Sequence, residues 1–180
     1  MEYPIRKATL ADREAIARLI GESARGLSLG DYTTRQIEAA LGGVFGVDTD
    51  LIEDGTYFVV EAQGGALVGC GGWSKRGTLF GGDRYAARDA RVLDPQTEPA
   101  RIRAFFVHPA HARRGIGRAI LEACEREAAS RGFRALELMA TLPGVRLYEA
   151  CGYAATGRAE YEIGGGLTIE FVPMRKELGA

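Results

Sequence analysis

The sequence predicts one α+β domain built around a single strand–helix–strand unit. The chain has 180 residues, which is room for one compact domain. It is 46% hydrophobic and 26% charged, so it can bury a core and is not a disordered tail. Strand and helix patterns alternate along it, and only one long helix lies directly between two strands. We therefore expect a single domain over residues 1–180.

The first 50 residues predict a strand followed by two short helices. Pro4–Ala8 has the composition of a short strand. Thr9 and then Asp12 stand at the spacing of a helix capping box, and Thr33 with Gln36 repeats that signature. Apolar residues follow each pair at helical spacing, so both helices are expected to be amphipathic.

The next segment predicts a hairpin and a long loop. Thr56–Glu61 is rich in β-branched and aromatic residues, and Gly64-Gly65 turns it into the second strand, Ala66–Trp73. Lys75–Pro99 is rich in glycine and charge and shows no steady period. A loop of this length within a compact domain is usually functional or mobile.

The second half predicts the central unit and two closing strands. A helix beginning near Gly115 and ending at Gly132 has an apolar stripe on one side and charged residues on the other. The flanking and following elements are a strand Arg101–Val107, a strand Ala135–Thr141, a short helix Pro143–Cys151, and strands Tyr153–Ile163 and Leu167–Lys176.

Composition excludes several classes of protein. Three cysteines without a C-x-x-C pair argue against a disulfide framework or a zinc ribbon, and two histidines are too few for a His-rich metal site. No apolar run approaches the ~20 residues that a membrane span needs. The amino terminus shows no secretory signal, so we expect a cytoplasmic protein.

The charge is unevenly distributed along the chain. Its formal net value is −1, but residues 75–118 carry +6, whereas residues 1–74 carry −5 and residues 119–180 carry −2. A basic middle between acidic ends indicates a local anionic ligand rather than a nucleic-acid footprint. A solvated arginine-rich face is the alternative interpretation.

The segment Val107–Arg118, VHPAHARRGIGR, contains the most specific signal. It leaves a strand and enters a helix, whose first N–H groups are unpaired and lie at the positive end of the helix dipole. Glycines there let an anion approach the backbone, and arginines add charge. Residues 113–118 are therefore predicted to bind phosphate or pyrophosphate; glycines that merely permit tight packing are the alternative.

Two other phosphate-binding patterns fit less well. No lysine follows a glycine, so a Walker A loop is absent. A Rossmann fingerprint would need glycine at Ile120, and its turn would follow the strand more directly, although Glu137 stands about 20 residues further on. A nucleotide-binding domain therefore stays open as a minor alternative.

Three motifs together resemble the GNAT superfamily of N-acetyltransferases: VHP, then RRGIGR at the start of a helix, then LYEACGY. The order of the predicted elements matches that family from about Ile5 to Leu178. The resemblance implies a mixed, mostly antiparallel sheet with helices on both faces. It also implies transfer of an acetyl group from acetyl-CoA to a primary amine of a small molecule or peptide, with no nucleic-acid or membrane partner, and a possible homodimer.

The resemblance also implies which residues bind acetyl-CoA. The family's pyrophosphate loop aligns with residues 112–117, although Ala112 replaces the usual Gln or Arg. The strand before this loop binds the pantetheine arm, and Thr141 stands near the position of a frequent Asn on the next strand. The implied set is Phe106, Val107, Arg113, Arg114, Gly115, Ile116, Gly117, Arg118 and Thr141.

For the chemistry, the resemblance implies that Tyr148 is the general acid that protonates the departing thiolate. Packing of this ring in the core is the alternative. Backbone N–H groups near Val107 could stabilise the oxyanion. Candidates for the general base are Glu137, Glu98 and His108, or a chain of water molecules.

The acceptor site is less defined. Acceptor residues are expected from the first two helices, the Lys75–Pro99 loop and the last strands. Aromatic candidates are Tyr32, Trp73, Phe80 and Tyr85, for each of which packing in the core or on the surface is the alternative. A hydrolase is not indicated, because none of the four serines lies in a G-x-S-x-G pattern. A non-catalytic acyl-CoA sensor on the same fold is the alternative function.

Overall fold

Eight strands form one sheet, and five helices cover it, in the computed structural model, which describes residues 2–179. The strands are β1 Ile5–Lys7, β2 Tyr57–Glu61, β3 Leu67–Ser74, β4 Ala100–Val107, β5 Ala135–Thr141, β6 Ala154–Ala155, β7 Ala159–Gly164 and β8 Leu167–Glu177. The helices are α1 Arg13–Leu27, α2 Thr34–Leu41, α3 Thr49–Glu53, α4 Ile116–Ser130 and α5 Val145–Ala150.

The sheet is mixed and mostly antiparallel, as predicted. Its order is β1-β2-β3-β4-β5-β8-β6, and β7 pairs with the part of β8 that precedes the β6 contact. Among the described strands, only β4 and β5 run parallel, joined by the crossover helix α4. This is the predicted strand–helix–strand unit at the centre of the fold.

Helices cover both faces of the sheet, which confirms the predicted layering. On one face, α4 buries Ile120, Leu121 and Cys124 against the strands, and Tyr148 of α5 joins the same core. On the other face, α1, α2 and α3 bury a second apolar cluster, which includes Ile16 and Leu51. The two layers meet where β4 and β5 separate.

The predicted helix starts are confirmed, but the number of helices before β2 was wrong. The Thr9 N–H donates to Asp12 Oδ2 over 2.8 Å at a 3-10 turn, Leu10–Asp12, which leads directly into α1. At α2, Thr33 N–H donates to Gln36 Oε1, and Gln36 N–H donates back to Thr33 Oγ1. The third helix, α3, is only five residues long, which is too short to show a helical period in the sequence.

The predicted loop Lys75–Pro99 has no regular helix or strand, but it is tied to its surroundings. Arg76 Nε donates to Asp54 Oδ2 over 2.7 Å. Further along, Asp83 accepts hydrogen bonds from the amide and the hydroxyl of Thr49 at the start of α3. The loop is therefore held across the α2–α3 side of the sheet.

The predicted strand Tyr153–Ile163 is two strands in the structure. β6 pairs with the second half of β8 and β7 with the first half, and residues 156–158 lie between them.

Within residues 2–179, no helix has both the length and the apolar character that crossing a bilayer requires.

Candidate active site

The start of α4 forms an open cradle of backbone N–H groups. Arg113 (φ 62°) and Gly115 (φ 82°) adopt left-handed conformations, which turn the chain sharply into the helix. The N–H groups of Gly115–Arg118 have no hydrogen-bond acceptor among residues 2–179. A Cβ atom at Gly115 would meet no atom within 4 Å. An anion could therefore approach these N–H groups without obstruction.

Two other residues of the same turn have packing roles. Ile116 is buried, and its Cγ2 would lie 2.5 Å from a Cβ atom at Gly69 of β3, so the absence of a side chain there lets α4 approach the sheet. A Cβ at Gly117 would lie 2.9 Å from Leu147 Cδ2 of α5. The absence of a side chain at Gly117 therefore permits tight packing, whereas Gly115 leaves the backbone N–H groups accessible to an anion.

Three arginines surround the cradle and are exposed: Arg113, Arg114 and Arg118. Within the described chain, none of them forms a salt bridge, so their charges are not compensated by carboxylates. Arg114 Nη1 donates to the Tyr3 hydroxyl over 3.1 Å, and that hydroxyl lies 3.0 Å from His111 Nδ1. The cradle therefore combines N–H donors with positive side chains, which suits a diphosphate.

A cleft opens between β4 and β5. The two strands pair only at Ala100–Leu136 and Arg101–Glu137, after which they separate. A cavity of about 70 Å³ occupies the gap. Its walls are residues 44–46, 79–82 and 102–106, together with Met139, Thr141, Tyr148 and Phe171. Because these residues come from both faces of the sheet, the cleft passes through the sheet.

Tyr148 contributes a hydroxyl group to this cleft. Its ring packs edge-on against Phe105, with the ring centroids 6.1 Å apart, and the residue is 7% exposed. Among residues 2–179 the hydroxyl has no hydrogen-bond partner, yet it is not sealed from solvent. Burial raises the pKa of Tyr148 well above its usual value, so the phenol stays protonated at neutral pH. It is available as a proton donor.

Thr141 and Phe106 line the same cleft. Thr141 Oγ1 would lie 3.1 Å from a Cβ atom at Gly144, and that Cβ would also lie 3.4 Å from Tyr148 Cε2, so the turn between β5 and α5 brings the two side chains close together. Phe106 packs edge-on against Phe45, with centroids 5.8 Å apart. The structure therefore brings together in one cleft two of the residues that the family resemblance implied for acetyl-CoA binding.

Val107 also lies at the separating end of β4, but its amide is occupied. The Val107 N–H donates to Ser23 Oγ of α1 over 3.2 Å, and Ser23 is 5% exposed. The next amide, that of His108, instead donates to the Val68 carbonyl of β3. Because successive N–H groups of a strand alternate in direction, the Val107 N–H is directed away from β3, toward the gap.

The three candidates for the general base lie outside the cleft. Glu137 forms an ion pair with Arg101 where β4 and β5 are still joined, four residues before Thr141. Glu98 accepts two hydrogen bonds from Arg91, which lower the pKa of its carboxyl. His108 Nε2 lies 3.3 Å from Glu22. The structure does not bring these residues together with Tyr148.

A buried cluster of charges beneath the cleft was not anticipated from the sequence. Arg103, the one charged side chain among the lining residues of the described chain, pairs with Asp48 and donates to the Gly81 carbonyl over 3.1 Å. Arg88 also pairs with Asp48 and Asp50. Burial raises the pKa of Asp48, and the two arginines oppose that rise. No local sequence pattern predicts this ion pair, because Asp48 and Arg103 lie far apart in sequence.

The expected aromatic residues of the acceptor side divide into three groups. Phe80 lines the cleft and packs against Tyr85, with centroids 4.9 Å apart. Tyr32 is buried, and its hydroxyl donates to the Glu170 carbonyl and accepts from the Leu142 N–H. Trp73 is fully buried and packs in the core, so it does not line the acceptor side.

A known protein family matches more than half of this chain. A family model described as the acetyltransferase (GNAT) family matches residues 23–153. No curated protein sequence matches the chain significantly.

Solved structures match nearly the whole chain. A GCN5-related N-acetyltransferase from Rhodopseudomonas palustris is 21% identical, with a TM-score of 0.73 over 99% of this chain and 97% of that one. The PaiA N-acetyltransferase of Thermoplasma acidophilum, crystallised with coenzyme A, is 15% identical, with a TM-score of 0.65 over 98% and 99%. YncA of Salmonella typhimurium, a putative acetyltransferase crystallised with acetyl-CoA, is 18% identical, with a TM-score of 0.64 over 100% and 96%.

At these identities the solved structures establish the fold alone, and the family model supplies the rest of the assignment. It spans α2 to α5 and therefore contains both the N–H cradle and the cleft. The chain belongs to the GNAT family of acetyltransferases.

Proposed function

We propose that this protein is an N-acetyltransferase that moves an acetyl group from acetyl-CoA to a primary amine of a small molecule or peptide. The observation that supports this most is the continuity of two features. The separation of β4 from β5 opens a cleft past Tyr148, and the unpaired N–H groups of α4 lie just beyond the end of β4. A long ligand with a diphosphate in its middle and a thioester at its end fits that arrangement.

In this proposal the cradle holds the diphosphate of the cosubstrate. The N–H groups of Gly115–Arg118 donate to its oxygens, while Arg113, Arg114 and Arg118 supply positive charge. Ile116 and Gly117 position the cradle through their packing.

The pantetheine arm then runs beside β4 toward the cleft. Phe106 and Val107 form one side of this path, and Thr141 forms the other side near the thioester. The Val107 N–H would exchange its bond to Ser23 Oγ for one to a carbonyl of the arm. Such an exchange keeps the amide hydrogen-bonded in both states, which avoids the cost of an unpaired buried donor.

Acetyl-CoA supplies a thioester carbon that an amine attacks, with the coenzyme A thiolate leaving. Backbone N–H groups of β4 stabilise the negative charge that develops on the carbonyl oxygen. Tyr148 donates its proton to the sulfur as the carbon–sulfur bond breaks and regains a proton from solvent. The nitrogen loses its extra proton to solvent, so that the products are the amide and the free thiol.

This proposal assigns no side chain as general base and leaves Glu137 out of the active site. No carboxylate is present among the cleft-lining residues of the described chain. The walls are mainly apolar, and the guanidinium of Arg103 among them is paired with Asp48. An apolar wall without a carboxylate disfavours an ammonium ion, so the acceptor is expected to enter as the neutral amine.

The test is a coenzyme A release assay with acetyl-CoA and a panel of primary amines, combined with calorimetric titration of coenzyme A. We expect binding of coenzyme A and release of free thiol with at least one class of amine. Binding without turnover on any amine would favour the acyl-CoA sensor. Absence of binding, or binding of NAD instead, would contradict the proposal.

A further inference from the structure

Strand β4 contains an extra residue at the point where the cleft begins. Arg103 lies opposite Gly72, and Phe106 lies opposite Cys70, so three steps along β4 match two steps along β3. This is a β-bulge, and Ala104 within it has φ 58°. A residue with a Cβ atom is disfavoured in that left-handed conformation, so the surrounding contacts must hold it there.

Two buried side chains converge on the carbonyl oxygen of Ala104. The Tyr57 hydroxyl of β2 donates to it over 3.3 Å, and the Cys70 thiol of β3 donates over 3.7 Å. Both side chains are fully buried. Burial raises the pKa of Cys70 to about 12 and that of Tyr57 well above its usual value, so both remain protonated donors across the physiological range.

The path that Tyr57 takes to the bulge depends on a glycine. Tyr57 lies on β2, and β3 separates it from β4. Its partner in the register is Gly72, where a Cβ atom would lie 2.9 Å from Tyr57 Cδ2. Because Gly72 has no side chain, the ring crosses over β3 and its hydroxyl reaches Ala104.

The direction of the Ala104 carbonyl determines the direction of the next N–H. In a planar trans peptide the C=O and the following N–H point opposite ways. Because the Ala104 carbonyl points to Tyr57 and Cys70, the Phe105 N–H points away from them, and Phe105 is among the residues that line the cleft. The nearby Val107 N–H is already bonded to Ser23.

The geometry points to Tyr57, assisted by Cys70, as a positioning residue that fixes the Ala104–Phe105 peptide so that the Phe105 N–H donates to the thioester carbonyl. This inference rests on the proposed function, which already takes an amide of β4 as the donor to the thioester carbonyl, and it adds the side chains that orient that amide. Tyr57 touches neither substrate. It acts through the peptide unit, and the strained conformation of Ala104 is what makes that support necessary.

The test measures polarisation of the bound thioester without needing an acceptor amine. The full chain is saturated with acetyl-CoA labelled with carbon-13 at the carbonyl, and the carbonyl resonance is recorded. In the wild type, a hydrogen bond moves the resonance downfield from that of the free thioester. In Tyr57→Phe the resonance moves back toward the free value, while the dissociation constant for coenzyme A stays within about twofold. With an amine identified in the release assay, kcat falls about tenfold.

A second variant separates positioning from a general structural role. Glycine adopts the left-handed conformation freely, so Ala104→Gly in the Tyr57→Phe background should restore the downfield resonance and most of kcat. Tyr153→Phe is the matched control, because Tyr153 is also a buried tyrosine but its hydroxyl donates to Glu125. Its resonance should equal that of the wild type.

The possible outcomes distinguish failure of this inference from failure of the proposed function. An unchanged resonance in Tyr57→Phe, or no recovery in the double variant when thermal unfolding shows that it is folded, overturns the inference and leaves the proposed function intact. Failure of the wild type to bind acetyl-CoA overturns both. If Tyr57→Phe does not fold, Cys70→Ala replaces it: a smaller upfield move is expected, because a thiol is the weaker donor, and no move overturns the inference.

Discussion

The amide of Val107 donates a hydrogen bond to the hydroxyl of Ser23, which joins the separating end of β4 to helix α1. This bond occupies the amide that the proposed pantetheine path would use. Ser23 and a bound cosubstrate therefore compete for one N–H group, and the first prediction follows from that competition.

Ser23→Ala should tighten coenzyme A binding while it destabilises the free protein. Without the hydroxyl, the Val107 N–H is unpaired until the ligand arrives, which costs about 1 kcal/mol in the free state. We expect a severalfold lower dissociation constant by calorimetry and a lower Tm without ligand. Ser28→Ala is the control, because Ser28 is equally buried but makes no bond to β4. Weaker binding in Ser23→Ala would show that the hydroxyl itself supports the ligand.

Arg118→Glu should weaken coenzyme A binding by tenfold or more. The substitution places a negative charge beside the N–H cradle, where the account locates a diphosphate. The loss should shrink as salt is added, because screening weakens the repulsion. Arg126→Glu makes the same change two turns further along α4, on an exposed residue, and should have little effect. Equal losses in both variants would contradict a local diphosphate site.

Tyr148→Phe should lower turnover by about 100-fold or more with little change in coenzyme A affinity, because a general acid acts on the leaving group. The pH profile offers an independent check. Because burial raises the pKa of Tyr148, the acid form persists at alkaline pH, and turnover by the wild type should not decline through loss of this proton below about pH 10. Unchanged turnover in the variant would remove Tyr148 from the mechanism.

Glu137→Gln should leave turnover near that of the wild type but reduce stability. The carboxylate is paired with Arg101 at the closed end of the β4–β5 pair and does not line the cleft. Its loss leaves a largely buried guanidinium without its ionic partner, which we expect to cost about 1–3 kcal/mol of unfolding free energy in urea titrations. A large fall in kcat with normal stability would restore Glu137 as a candidate base.

Local signals in the sequence predicted most of the fold. Both capping boxes, the hairpin and the central strand–helix–strand unit depend on neighbouring residues, and the structure confirms each of them. Helix α3 was missed because five residues show no helical period. In addition, Asp48, the residue before it, is held by an ion pair with Arg103, which is distant in sequence.

The candidate site was predictable only in part, because several of its contacts join residues that are distant in sequence. The glycines and arginines of the α4 turn stand together in sequence, so their spacing indicated an anion cradle. The bonds from Val107 to Ser23 and from Tyr57 to Ala104 join residues far apart in the chain. A strand position was enough to nominate Glu137, but only the register reveals that Arg101 lies beside it.

Main-chain N–H groups at the start of α4 are proposed to bind the diphosphate of coenzyme A, and every other part of the proposed function depends on this. The most direct measurement follows the amide resonances of Gly115–Arg118 by proton–nitrogen correlation spectroscopy as coenzyme A, or pantetheine without phosphates, is added to the labelled protein. We expect large shifts of these resonances with coenzyme A and none with pantetheine. Resonances that stay in place when coenzyme A is bound would contradict it.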